Sequence, residues 1–365
     1  MSRERPQGWY PLLLATASIG IANSVVFPLL SDLQDAYGFS SGSLGIIAGS
    51  GFLVGLVGQI VLAPLADRGH ATRLLLAGLS MAVLGSVLFA SASSLGWLIV
   101  ARCVVGLSNS LFLPAARAIV ISVSEHDIAK RLGTLSGVEL AGFVTGPVVG
   151  GLLAGPFGIR VPFLVAGLVP LGGALLLLGR HLPEPPTVDS NRLAFDLLRL
   201  PGIRAGILMA MALFLPVGFY DATLDRYLTD LGAHNWLIGL SYMAYGLPFA
   251  VLSTTGGRLA DQKGALRMAA MSALLVAPLT WVYGFIGSAG AIVALSAVEG
   301  MVQALGVPAA GAMVAHAAPR GRAAAAQGLS GASSLLLGVT TLPLLVLYVG
   351  NVFLDRKSTR LNSSH

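Results

Sequence analysis

Ala63-Pro-Leu-Ala-Asp67-Arg68-Gly69-His70-Ala-Thr-Arg73 is a charged, turn-forming stretch that lies between two long apolar runs. A second stretch, Gly257-Arg-Leu-Ala-Asp261-Gln-Lys263-Gly264-Ala-Leu-Arg267, repeats its pattern. The two aspartates are 261 − 67 = 194 residues apart, and the same shift aligns Pro114-Ala-Ala with Pro308-Ala-Ala without a gap. The chain therefore contains an internal repeat, in which the two charged turns are equivalent points.

The composition is typical of an integral membrane protein. Apolar residues make up 55% of the chain and charged residues only 10%, whereas a soluble domain carries about a quarter charged residues. Apolar runs of about 20 residues recur along the chain, and a helix of that length crosses a bilayer. Because backbone groups in hydrocarbon must pair within their own segment, these runs predict an all-α polytopic membrane protein. The eleven expected spans lie near 9–31, 42–65, 74–92, 96–122, 133–155, 159–179, 205–228, 237–260, 267–286, 289–315 and 324–350.

The distribution of basic residues predicts the orientation of the chain. The net charge of +6 does not indicate nucleic-acid binding, because the basic residues lie in short loops and form no continuous patch. A cytoplasmic N-terminus places sixteen Lys and Arg residues, Arg117 among them, at cytoplasmic loops and span ends, against Arg160 and Arg226 opposite. By the positive-inside rule we expect a multi-pass protein of the cell (inner) membrane with its N-terminus in the cytoplasm. With Cys103 as the single cysteine we expect no disulfide, no metal site and no cofactor.

A polar, proline-rich segment at 180–204 predicts a cytoplasmic linker between two halves. The N-terminal half, 1–179, contains spans 1–6, and the C-terminal half, 205–354, contains spans 7–11. The shift of six spans makes the two copies parallel, as in transporters built from parallel repeats, so a twelfth span is expected after the eleventh. Residues 355–365 break the composition abruptly and resemble a translated sequencing adapter, so we expect them to be an artefact.

Three motifs resemble the signatures of major facilitator superfamily (MFS) transporters. Ala63–Arg73 is similar to the pattern Gly-x-Leu-Ala-Asp-Arg-x-Gly-Arg-Arg that follows helix 2 in that family, although Ala63 and His70 stand where glycines are usual. The stretch 98–106, with Arg102 four residues before its glycine, resembles the helix-4 signature. Gly142-Phe-Val-Thr-Gly146-Pro147-Val-Val-Gly150-Gly151 matches the helix-5 signature, which in the family marks antiporters, especially drug–proton exporters.

The resemblance implies the MFS fold, with two parallel six-helix halves and twelve spans, of which about eleven are present. It also implies a monomeric secondary active transporter, and not an enzyme, that exports a small amphiphilic or apolar molecule by proton antiport with alternating access. The implied partners are a small-molecule substrate, protons and the lipid bilayer. Two alternatives remain: an uptake symporter or facilitator for a polar metabolite, and a membrane receptor or scaffold that does not transport.

The motif residues suggest how the two halves change conformation. Asp67 follows the negative C-terminal end of its own helix, which is unfavourable by a few tenths of a kcal/mol, so it should seek another helix N-terminus or an arginine. The resemblance implies the start of span 11, near Arg322–Ala324, as the partner in a latch of the outward-open state; a solvated loop acid is the alternative. The glycines of the helix-5 motif form a smooth stripe for close packing, and its proline should bend the helix. The candidate conformational residues are Asp67, Arg68, Arg73, Asp261, Gly142, Gly146, Pro147 and Gly150.

Ionisable residues within spans are costly, which makes each of them a functional candidate. The candidates for proton coupling are Glu299, Glu139, Asp221 and Arg102. Burial favours the neutral form of a carboxyl group, which suits it to carry a proton. Glu299 is the first choice because it lies about 15 Å into span 10, whereas Glu139 lies about 9 Å from the end of span 5. The resemblance implies that Arg102 tunes a carboxylate, and structural charge pairing is the alternative for each candidate.

Polar residues at mid-depth are candidates for lining a substrate cavity. They are Asn23, Asn109, Tyr242, Tyr245 and Gln303. Hydrogen bonds between helices and aromatic packing are the alternative explanation for these side chains.

Overall fold

The computed structural model describes residues 8–39, 41–123, 126–180, 182–187 and 193–337. Within those ranges the chain forms helices and connecting turns, and no strand. The helices are α1 Trp9–Ser24, α2 Leu30–Tyr37, α3 Ser41–Leu65, α4 Ala71–Ser91, α5 Leu95–Ser122, α6 Ile128–Phe157, α7 Val161–Leu177, α8 Pro201–Asp230, α9 Asn235–Lys263, α10 Ala265–Val282, α11 Ala289–Ala317 and α12 at 323–337.

The helices have the length and apolar composition of membrane spans. Among the described residues, seven apolar stretches are long enough to cross a bilayer, and one of them, Gly49–Ser91, contains parts of α3 and α4 on either side of a turn. Val161–Leu177 and Pro201–Pro216 are shorter apolar helices. The predicted all-α polytopic fold is therefore confirmed. The end of span 11 and the expected artefact at 355–365 lie outside the described residues.

Helix starts reproduce the repeat that the two charged turns predicted. Helices α3, α4 and α5 begin at residues 41, 71 and 95, and helices α9, α10 and α11 begin at 235, 265 and 289. Each start is displaced by 194 residues, since 235 − 41, 265 − 71 and 289 − 95 all equal 194. The two halves meet where α6 packs against α9 and where α3 approaches α12.

Glycines of the helix-5 motif allow α6 to pack closely on α1. A Cβ on Gly142 would lie 2.1 Å from the carbonyl oxygen of Ala17, and one on Gly146 would lie 2.0 Å from Ser24 Oγ. The two helices can approach this closely only because the residues of α6 at the contact are glycines, which carry no side chain. Helix α6 continues through Pro147 and ends at Phe157.

The turn between α3 and α4, Ala66–His70, directs Asp67 away from its own helix. Arg68 leaves the helical region with φ −95° and ψ 19°, and Gly69 has φ 79°. Glycine adopts this left-handed conformation without the clash that a Cβ would cause. Gly264 ends α9 with φ 97° at the equivalent turn of the second half.

Candidate functional site

Asp67 binds the first turn of α12, which belongs to the other half. Its two carboxylate oxygens accept hydrogen bonds from the backbone N–H groups of Ala324 and Ala325, each at 2.8 Å, and the side chain is 4% exposed. N–H groups in the first turn of a helix lack partners in their own helix, and the positive end of the helix dipole favours an anion. The carboxylate thus meets the helix start to which the resemblance pointed.

Asp261 makes the equivalent contact in the opposite direction. Its carboxylate accepts hydrogen bonds from the N–H groups of Ala129 and Lys130, in the first turn of α6, each at 2.9 Å. Each half therefore gives one aspartate to a helix start of the other half. We call these contacts the two latches, and the end of the bundle that carries them the latch end. Of the other motif residues there, Arg68 is half-buried and Arg73 is exposed.

Glycines bring the two halves into backbone contact at the latch end. A Cβ on Gly257 of α9 would lie 2.1 Å from the carbonyl oxygen of Ala129, and one on Gly133 of α6 would lie 2.2 Å from that of Ser253. Beside them, the hydroxyl oxygens of Thr134 and Thr254 are 3.1 Å apart. The structure therefore describes a state in which α6 and α9 are closed against each other.

A related contact closes α3 against α12. A Cβ on Gly331 would lie 2.0 Å from Gln59 Oε1, and one on Gly137 of α6 would lie 2.2 Å from Ser253 Oγ. The 194-residue shift relates Gln59 to Ser253 and Gly137 to Gly331. These glycines and their partners were not predicted as functional residues, although applying the repeat to every glycine would have paired them.

Glu299 belongs to a hydrogen-bonded chain in the C-terminal half. It is fully buried in α11, at 0% exposure, about 15 Å along the helix. Gln303 Nε2, one turn later, donates a hydrogen bond to Glu299 Oε1 at 3.1 Å. The hydroxyl of Tyr245 on α9 donates to Gln303 Oε1, also at 3.1 Å. The chain runs from the half-buried Tyr245 to the buried carboxyl group, so three of the predicted residues come together.

Arg102 is buried in the N-terminal half, at 1% exposure. Its Nη1 donates hydrogen bonds to the carbonyl oxygen of Asn23 at 2.8 Å and to Asn23 Oδ1 at 2.9 Å. The guanidinium also lies over the rings of Phe27 and Phe52, at 5.0 and 5.8 Å from their centroids. Hydrogen bonds to a charged group and cation–π contacts compensate for the lost hydration. Among the described side chains no carboxylate forms an ion pair with Arg102.

Glu139 pairs with Arg117, a partner that we did not predict. Arg117 Nη2 lies 3.6 Å from Glu139 Oε2, and the side chains are 22% and 26% exposed, respectively. Arg117 was counted with the charges at span ends, but it lies inside α5. Because α6 begins at Ile128, Glu139 is about 16 Å along the helix, whereas the expected 9 Å was counted from a span end near residue 133. The exposed side chains Val148 and Leu152 lie on the opposite face of α6.

The remaining candidates are Asn109, Tyr242 and Asp221, which lie on α5, α9 and α8, respectively. Asn109 is half-buried on α5, two turns after Arg102 and on the same face. Tyr242 on α9 is 36% exposed. Asp221 lies on α8, and its side chain is outside the described part of the structure. Within the described ranges, no group of three or more His, Cys, Asp or Glu residues could hold a metal ion.

Comparison with known families agrees with this architecture. The family model of the Major Facilitator Superfamily matches residues 12–225, more than half of the chain. The chain belongs to the Major Facilitator Superfamily. The solved structure of the human organic anion transporter MFSD10 (TETRAN) is similar, with a TM-score of 0.76 over 93% of this chain and 92% of that chain. Its sequence identity is 18%, so this likeness concerns the fold alone.

Curated MFS relatives align with about 70% of the chain. The multi-drug resistance efflux pump PmrA of Streptococcus pneumoniae is 27% identical over 71% of this chain and 67% of its own length. The multidrug resistance protein MdtG of Yersinia enterocolitica is 27% identical over 72% and 68%. The MFS-type transporter SLC18B1 of Rattus norvegicus is 25% identical over 70% of this chain and 59% of its own length. The chain is thus a multi-pass MFS transporter that is similar to multidrug efflux pumps.

Proposed function

We propose that this transporter exports a small molecule in exchange for protons, by alternating access between its two halves. The observation that carries the proposal is the buried carboxyl group of Glu299, which is hydrogen-bonded to Gln303 and through it to Tyr245. An ionisable side chain inside a membrane is costly and usually serves transport. A carboxyl group that can be neutral when enclosed and charged when hydrated can carry a proton between two sides.

The hydrogen-bonded chain supplies a route for that proton. Tyr245 is half-buried, and its hydroxyl can donate or accept a hydrogen bond. Gln303 lies between Tyr245 and the carboxyl group of Glu299, and its hydrogen bond fixes the orientation of that carboxyl group. Protonation of Glu299 would therefore change the hydrogen bonds that connect it, through Gln303, to α9. Helix α9 is also the helix that closes against α6 at the latch end.

Glu139 is the second candidate for proton coupling, and its environment favours a different role. Arg117 on α5 lies 3.6 Å away as a counter-ion. Both side chains are partly exposed, and Glu139 lies on the face of α6 opposite Val148 and Leu152. We assign this pair to the wall of the substrate pathway and Glu299 to proton coupling.

The substrate we propose is amphiphilic or apolar. Asn109 and Tyr242 offer accessible polar contacts, whereas Asn23 and Gln303 already hold Arg102 and Glu299. Two relatives are named as a multi-drug resistance efflux pump and a multidrug resistance protein, which supports export of such compounds. We propose a monomer in the inner membrane, and the charge distribution supports an orientation in which the latch end and the N-terminus face the cytoplasm.

Transport into everted vesicles that contain the full-length protein tests the proposal. An interior acidified by respiration should drive accumulation of a fluorescent amphiphilic cation, and collapse of the pH gradient should stop it. Glu299→Gln should abolish the response to the gradient because the amide cannot carry the proton. Glu184→Gln, a change at an exposed acid of the linker, is the control and should behave like the parent. Accumulation that is indifferent to the gradient, or coupled transport in Glu299→Gln, would refute the proposal.

A further inference from the structure

The second part of the linker between the halves packs as a part of the C-terminal half. Residues Ala194–Arg199 form a short 3₁₀ helix. Ala194 and Leu197 are each 1% exposed and pack in one apolar cluster with residues of α8, α11 and α12. Those partners are Ile203, Ile207, Val314, Ala325, Ala326 and Leu329. This segment should therefore move with the C-terminal half whenever the two halves separate.

Asp196 of this linker helix binds Arg322 at the start of α12. Both terminal nitrogens of the guanidinium take part: Arg322 Nη2 donates to Asp196 Oδ1 at 3.0 Å, and Nη1 donates to Oδ2. Such fork-like pairs define the position of the arginine as well as neutralise its charge. The carbonyl oxygen of Arg322 also accepts the first hydrogen bond of α12, from the N–H of Ala326 at 3.1 Å.

The same turn of α12 receives Asp67. Asp67 accepts hydrogen bonds from the N–H groups of Ala324 and Ala325, two and three residues after Arg322. The guanidinium is near enough to Asp67 to act on it electrostatically, yet it forms its ion pair with Asp196. Arg322 thus lies between Asp67 of the N-terminal half and Asp196 of the linker, and it forms its ion pair with Asp196.

The second latch has no arginine at the position equivalent to Arg322. The residue equivalent to Arg322 is Ile128, since 322 − 194 = 128. Asp261 nevertheless accepts two hydrogen bonds of 2.9 Å from the first turn of α6, as Asp67 does from α12. A latch in this fold therefore forms without a basic side chain at the position of Arg322.

We propose that Asp196 is a positioning residue that holds Arg322 away from Asp67. The latch then consists of two backbone hydrogen bonds and can open in every transport cycle. Without Asp196 the guanidinium would turn to Asp67 and add a charged hydrogen bond to the latch, which would favour the closed state. This inference rests on the proposed alternating-access cycle but does not depend on which ion drives it.

Opening can be followed with a cysteine at Gln59, which is 5% exposed between α3 and α12. In a Cys103→Ala background, maleimide should label Gln59→Cys only when α3 and α12 separate. Asp196→Asn should slow labelling roughly 10- to 150-fold, the size expected for one additional hydrogen bond between charged groups. The exposed linker variant Glu184→Gln should leave the labelling rate unchanged, and Asp196→Glu should restore it.

Arg322 decides between this proposal and a purely structural role for the linker. In an Arg322→Gln background, Asp196→Asn should have no further effect, because no guanidinium remains to be released. Labelling that becomes faster in Asp196→Asn would mean that the linker merely supports α12, and it would overturn the proposal. Slower labelling that persists in the Arg322→Gln background would overturn it as well. Loss of the pH-gradient response in transport would refute proton antiport but leave these labelling results unaffected.

Discussion

Replacing Gly257 by alanine should force the two halves apart at the latch end. In the closed state a Cβ at this position would lie 2.1 Å from the carbonyl oxygen of Ala129 and 2.6 Å from the Cα of Lys130. Both are backbone atoms, so no side-chain rotation can relieve the contact. Helices α6 and α9 would have to separate by about 1 Å, and overpacking of this kind typically costs about 1–3 kcal/mol.

That free energy acts only on the closed state, because Gly257 meets α6 only when the halves touch. With about 1.4 kcal/mol for each factor of ten, the ratio of closed to open molecules should fall roughly 5- to 150-fold. The fold itself should tolerate the change, since alanine is a better helix former than glycine by about 1 kcal/mol.

Maleimide labelling of Gln59→Cys in a Cys103→Ala background measures this shift from closed to open molecules at the interface between α3 and α12. Labelling should become at least fivefold faster in Gly257→Ala, given the lower bound of about 1 kcal/mol. Gly239→Ala is the control, because Gly239 lies on the same helix and a Cβ there would meet no atom within 4 Å. Equal labelling rates in the two variants would show that the close approach of α6 and α9 does not hold the latch end closed.

Three further changes test other parts of the structure. Gly142→Ala should lower the free energy of unfolding in detergent by about 1–3 kcal/mol, because α6 and α1 pack within one half. Gly151→Ala is the control and should leave this stability unchanged, because a Cβ at Gly151 would meet no atom within 4 Å. Arg102→Lys should cost about 1–2 kcal/mol of the same stability, because the more strongly hydrated ammonium cannot keep the planar contacts with the rings of Phe27 and Phe52. Tyr245→Phe should slow transport and shift its pH profile without unfolding the protein, because it removes a hydrogen bond worth about 1 kcal/mol next to Gln303.

The charged turns predicted much of the fold because a repeat imposes several constraints at once. One shift of 194 residues predicted which helices are equivalent, and three helix starts follow that shift without deviation. Span length was predictable for a simple physical reason: the bilayer requires about 20 apolar residues in a helix. Boundaries were less predictable because a helix can be longer than the expected span: α6 has 30 residues and begins at Ile128, whereas the span is expected to begin near residue 133.

The polar partners inside the spans were harder to predict. Glu299 and Gln303 are one turn apart, so their hydrogen bond follows from helical spacing. Arg117 and Glu139 lie on different helices, and their pairing depends on how α5 and α6 are rotated against each other. Composition and spacing do not define that rotation. The same reason applies to Asp196 and Arg322, whose contact requires the linker to fold back onto α12.

The glycines of this chain separate into two classes with different physical roles. Gly142 and Gly146 contact α1 inside one half, so their packing persists while the halves move as rigid bodies. Gly133 and Gly257 contact the opposite half, so they matter only in the closed state. The helix-5 signature contains the first class, whereas Gly257 of the second class is the glycine that opens the second charged turn. In the alternating-access cycle that we propose, the second class and the two aspartate latches determine how long the latch end stays closed.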